Sequence, residues 1–181
     1  MGDPDFRAIW ENDATPYQQF LEGVEKNESL WRGIYKTARI PDWAFDLACQ
    51  RGRDVRLLVI AEDWCGDASN TVPVLARLGD EAECLEMRVV ARDAEAGLMD
   101  LYLTNGSRSI PIVIALDARF DEIGHWGPRP AELQRWVIAH RPTMPSKELY
   151  PQVRRWYAKD RGVTTLREVL DLLGGEATAA E

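Results

Sequence analysis

The chain has 181 residues, of which 45% are hydrophobic and seven are tryptophan, a composition that specifies a folded unit with a substantial core. Thirty acidic against 22 basic residues give a formal net charge of −8; no basic patch stands out, so nucleic acid is not an expected partner. No apolar run approaches the roughly 18 residues of a membrane span, and the opening Met-Gly-Asp-Pro-Asp-Phe lacks the basic and apolar segments of a signal peptide, so no membrane association and a cytoplasmic location are the expectations.

In chain order, Thr15 and Pro16 suit the N-cap and first position of a helix carrying Tyr17, Phe20, Leu21 and Val24. Leu30, Trp31, Ile34 and Tyr35 continue at helical spacing. Residues 42–49 form an amphipathic helix ended by Gly52, and the apolar, β-branched run 55–61 reads as a buried strand. Cys65 follows that strand, in the run Ala61-Glu62-Asp63-Trp64-Cys65-Gly66-Asp67-Ala68. Val72, Leu75, Ala76 and Leu78 then give helical spacing, which puts the thiol near a helix N-terminus, where unpaired amides favour a thiolate. Farther on, Ser146 opens a helix carrying Leu149, Tyr150, Val153, Trp156 and Tyr157. Thr165-x-x-Glu168 is a capping-box pattern before Val169 and Leu170. These aromatics are expected to complete a core, and residues 174–181 to form a disordered tail. No internal repeat is present.

The three cysteines, at positions 49, 65 and 84, have neither the spacing of a metal site nor that of a disulfide framework, a pattern suited to a reducing compartment. Cys49 reads as a small buried hydrophobe, and both Cys49 and Cys84 are expected to be structural thiols.

Trp64-Cys65-Gly66-Asp67-Ala68 resembles the Trp-Cys-Gly-Pro-Cys motif of thioredoxins, and Ile110-Pro111 resembles their cis-proline loop. The order of elements agrees: strand 55–61, helix about 67–79, strand 86–92, helix about 95–103, strand 111–116, strand 120–126 and helix 130–140. The resemblance implies an α/β thioredoxin-like fold, a central mixed β-sheet flanked by helices, over residues 40–141. Residues 1–39 are then an N-terminal helical extension and 142–173 a C-terminal one packed on the same domain. In that topology Cys84 lies at the end of the sheet opposite the reactive edge.

Three departures from the motif bear on function. The resolving cysteine would fall at position 68, which is alanine, so an intramolecular CxxC disulfide is impossible. The buried acid of the preceding strand would fall at Val59. Asp67 replaces the motif proline, and with Glu62 and Asp63 its charge raises the thiol pKa while the helix terminus lowers it, two effects of similar size that leave the net direction open.

The resemblance also implies which residues border Cys65: Ile110, Pro111 and the run Gly124-His125-Trp126-Gly127. His125 has two readings, a base that activates the thiol or a strand-end histidine without a catalytic role. Trp64 and Trp126, with Gly66, Asp67, Ile110 and Pro111, would line the substrate groove; Arg108 and Arg129 would add positive charge suited to a glutathione carboxylate or offset the acidic residues. Two functions remain open at this point. One is a monothiol redox protein, exchanging through Cys65 with protein or small-molecule thiols and disulfides, without a bound cofactor or metal and with glutathione as co-substrate. The other is a redox-inactive binding or scaffold module using the groove around Trp64, Pro111 and Trp126.

Overall fold

A computed structural model describes residues 4–50, 54–94 and 97–174. The chain begins with α1 (Phe6–Asn12), β1 (Thr15–Pro16), α2 (Tyr17–Glu22), α3 (Glu28–Thr37) and α4 (Asp42–Cys49). Then follow β2 (Val55–Ala61), α5 (Gly66–Glu81), β3 (Leu85–Ala91), a single 3-10 turn at Met99–Tyr102, β4 (Ile112–Leu116) and β5 (Glu122–Trp126). Three helices complete it: α6 (Ala131–His140), α7 (Ser146–Asp160) and α8 (Val163–Gly174).

The five strands form one mixed sheet in the order β1-β3-β2-β4-β5. β2 lies at its centre, parallel to β3 and antiparallel to β4. Its residues 57–61 are fully buried, which is why this stretch is a continuous apolar run instead of an alternating one. α5 packs on β3 and α8 on β4 and β5. α5 and α8 also touch each other: Gly162, at φ 82°, lies so close to Val74 that a Cβ there would sit 2.7 Å from a Val74 methyl. Phe6, Ile9, Trp10, Tyr17 and Trp31 join the same core as the sheet. Leu133 and Val137 of α6 instead meet Leu149, Val153 and Tyr157 of α7 in a second, smaller cluster.

Several local expectations are corrected. Thr15 and Pro16 are not the N-cap and first position of the helix that follows; they pair antiparallel with Val89 and Arg88 of β3. Thr15 is β-branched and precedes a proline, two features that favour extended backbone, and a proline is tolerated on an edge strand. Pro16 then serves as the N-cap of α2. Of the helix expected over 95–103, residues 95–96 lie outside the described residues, and the remainder is a single 3-10 turn cut off at Leu103, which is extended.

The capping box at Thr165 and Glu168 is also not used. α8 starts at Val163, the Thr164 amide donates to the Asp160 carboxylate at 3.1 Å, and Thr165 is buried inside the helix. Gly174 belongs to α8, while the rest of the expected tail, 175–181, and Gly52 lie outside the described residues.

The largest correction concerns the cysteines. Cys49 and Cys84 form a disulfide, with Cα atoms 5.5 Å apart. α4 ends where β3 is about to begin, and the fold brings the two thiols together across 35 residues of sequence. No spacing rule announces such a pair, because the proximity is created by the βα packing between them. Loop-closure entropy for this separation makes the bond worth about 4 kcal/mol. Reduction, or Cys84→Ser, is therefore expected to lower unfolding stability in urea by about that amount, read as a shift of the denaturation midpoint against the oxidised protein.

Candidate functional site

The loop between β2 and α5 is held by its own acids. The Asp63 carboxylate accepts the Glu25 and Lys26 amides at 2.9 and 2.8 Å, and its carbonyl accepts the indole N–H of Trp31 at 3.0 Å. Glu62 accepts the Arg92 amide at 2.8 Å, beyond the end of β3. Both carboxylates, expected to bear on the thiol, instead fasten this loop to the N-terminal segment and to the sheet. Trp64 is left half exposed, with the Arg92 guanidinium 5.3 Å from its ring centre.

Cys65 is the N-cap residue of α5. Its Sγ accepts the Ala68 amide and donates to the Ile110 carbonyl, each at 3.4 Å. Ile110-Pro111 is cis, and through these two hydrogen bonds the helix terminus and the proline loop meet at the sulfur. Gly127 brings the β5–α6 loop against that proline: at φ 139°, any Cβ at this position would collide with the Pro111 carbonyl. Ala68 and Val59, where the family's resolving cysteine and buried acid would stand, are both fully buried.

The thiol is only 8% exposed. Burial pushes its pKa above the ordinary value, and the Asp67 charge adds to the rise. The Ala68 and Asp67 amides and Arg129 oppose it without prevailing. Of the three acids in the motif, Asp67 alone acts on the sulfur in this way.

Asp67 does more than replace a proline. Its carboxylate is buried and takes a two-pronged ion pair from Arg129, with Nε at 2.9 Å and Nη2 at 2.6 Å. The Tyr157 hydroxyl donates to the same carboxylate at 2.9 Å. Arg129 also donates to Gln134 on α6 at 2.8 Å. Burial, and then the Asp67 charge, push the Tyr157 phenol far above its ordinary range, so it remains a donor. One carboxylate thus joins the start of α5 to the β5–α6 loop and to α7.

Cys65, Trp64, Gly66, Asp67 and Ile110 line a cavity of about 470 Å³. The structure does not bring His125 or Trp126 to it. His125 is paired across the sheet with Ile114, bonds Glu122 through Nδ1 at 2.9 Å and stands edge-on to Tyr102. Trp126 is buried, its indole N–H donating to Glu168 at 2.7 Å, so the groove has no wall from this tryptophan. Pro111 is buried and does not itself line the cavity; it follows Ile110, which does. Arg108 does line the cavity but is engaged by Asp100 through two bonds of 2.8 Å.

Sequence reasoning missed Tyr157, read as a core aromatic, and gave Arg129 only a general role of offsetting the acidic residues without Asp67 as its partner. A partner 90 residues away leaves no local signal. Among the described residues, no group of three or more His, Cys, Asp or Glu side chains could hold a metal ion. Nor is any described helix long and apolar enough to cross a membrane.

The strand order, the helix-capping cysteine and the cis-proline loop facing it define a thioredoxin-like protein. The family model described as thioredoxin matches residues 14–144, and the chain belongs to that family. No curated protein matches it. Among solved structures, it is similar to a protein of unknown function from Pseudomonas aeruginosa, at 17% identity and a TM-score of 0.76, covering 96% of this chain and 99% of that one. It is also similar to an HIV epitope scaffold, at 17% identity and a TM-score of 0.58, covering 90% and 100% respectively. At that identity these likenesses speak for the fold alone.

Asp67→Asn removes the charge that opposes the thiolate and leaves Arg129 unneutralised beside it. The Cys65 pKa is expected to fall, measured as a shift to lower pH of its alkylation profile by peptide mass spectrometry. Breaking one half of a buried pair is also expected to cost about 3 kcal/mol of stability, read by urea denaturation.

Proposed function

We propose that this thioredoxin-family protein is a monothiol exchanger that acts on the disulfides of proteins or small thiols through Cys65. The observation that supports this reading is the position of Sγ, between the Ala68 amide and the Ile110 carbonyl at the edge of a cavity. The amide of a helix terminus stabilises charge on sulfur, and the cavity gives a disulfide room to approach.

In the proposed reaction the Cys65 thiol first loses its proton to solvent. The thiolate attacks one sulfur of the substrate disulfide, a new S–S bond forms to Cys65, and the other sulfur leaves as a thiolate. A resolving cysteine is absent at position 68, and Cys49 and Cys84 are bonded to each other. The adduct is therefore released by a second small thiol, with glutathione as the natural candidate. That thiol attacks the mixed disulfide, becomes disulfide-bonded to the transferred group and returns Cys65 as a thiolate. Cys65 is the catalytic residue; Ala68 and Ile110 position it through their backbone.

Cys65→Ser is expected to abolish thiol-dependent turnover of a mixed glutathione disulfide, while Cys49→Ser and Cys84→Ser retain it at a temperature where they stay folded. Turnover that survives in Cys65→Ser would remove Cys65 from the mechanism. Because the buried thiol titrates above its ordinary value, its single-turnover rate should rise about tenfold per pH unit from neutrality through the ordinary thiol range. A rate that levels off below pH of about 8 would contradict the burial argument.

A further inference from the structure

The cavity beside Cys65 carries more charge than disulfide exchange requires. Four arginines line it, at positions 108, 129, 141 and 154, against one carboxylate, Asp67, among its described lining residues. Asp67 is taken by Arg129 and Asp100 by Arg108. Arg141 and Arg154 pair with no carboxylate among the described residues, and both are exposed. Composition does not account for this excess, since the chain as a whole has a net charge of −8.

The two free guanidiniums come from beyond the sheet, Arg141 at the end of α6 and Arg154 on α7. α7 also contributes Tyr150 and Val153 to the cavity, so it forms one wall of the space in front of the sulfur. Tyr157, on the same helix, fixes that wall to Asp67. A volume of about 470 Å³ is the size of a small-molecule site. Guanidinium groups recognise carboxylate and phosphate through paired N–H donors.

We propose that this cavity selects a small-thiol disulfide whose transferred half carries at least two net negative charges, held by Arg141 and Arg154 while its sulfur meets Cys65. The proposal rests on the exchange reading above. The step is the one already given: the Cys65–S bond forms to the anionic half, the substrate S–S bond breaks, and the second half leaves as a thiolate. The arginines supply binding and orientation, and no proton or electron passes through them.

Three disulfides that share this reaction but differ in charge provide the test. Hydroxyethyl disulfide is neutral, the transferred half of oxidised glutathione carries one net negative charge, and that of coenzyme A disulfide carries several through its phosphates. Single-turnover rates with the native protein at low ionic strength are expected to rise in that order, with coenzyme A disulfide on the order of tenfold or more above the neutral compound. In the Arg141→Gln/Arg154→Gln variant the ratio of those two rates should collapse towards one, and added salt should lower it in the native protein. A native ratio near one, or a ratio unchanged in the variant, overturns the proposal. A glutathione rate equal to that of coenzyme A disulfide overturns the requirement for two charges.

Binding of reduced coenzyme A to Cys65→Ser, followed by calorimetry, separates the anion site from the chemistry. Should none of the three disulfides react, the exchange reading fails. Binding to Cys65→Ser that is lost on adding Arg141→Gln and Arg154→Gln would still support the anion site, and no binding would overturn it.

Discussion

The site depends on one buried carboxylate. Desolvating Asp67 is costly by itself, and it is offset by the paired N–H donors of Arg129 and the Tyr157 hydroxyl, which leave the charge well hydrogen-bonded. Its place in the first turn of α5 adds the favourable end of the helix dipole. Three otherwise separate parts are fixed by this arrangement: the cysteine-bearing turn, the loop leaving β5, and α7. The second hydrophobic cluster, between α6 and α7, is thereby tied to the sheet by a polar contact placed next to the thiol.

That contact also sets the electrostatics of the sulfur. A helix N-terminus is worth at most about 1–2 kcal/mol towards a thiolate, whereas burial can move a titration by several units. At Cys65 burial prevails, with the Asp67 charge assisting it and Arg129 holding it back. Asp63, as close in sequence as Asp67, and Glu62, one residue farther, have no comparable role because backbone amides occupy them. Proximity in sequence was a poor guide to which acid the thiol would meet.

The flanking segments are part of the site's construction. On one side, the N-terminal region is held to the β2–α5 loop through Asp63 and Trp31. On the other, α7 walls the cavity and brings Arg154 to it. A thioredoxin-type sheet edge is thus enclosed by residues that lie outside the motif, and their charge is opposite to that of the chain as a whole.

Read alone, the sequence carries four of the five strands and the cysteine motif, but not β1, whose Thr15 and Pro16 it places at a helix start. Residues 57–61 are apolar throughout because both faces of β2 are covered there, and the cysteine turn and Ile110-Pro111 are legible because each is a short local pattern. It also determined that position 68 holds no resolving cysteine. It is the folding of the chain that brings Asp67 to Arg129 and Tyr157, joins Cys49 to Cys84, and turns His125 and Trp126 to Glu122 and Glu168 instead of to the thiol. The difference is one of range: hydrophobic periodicity and capping act over a few residues and are written locally, whereas the partner of a buried charge or a thiol is whichever group the packed chain brings within about 3 Å, however far away it lies in sequence.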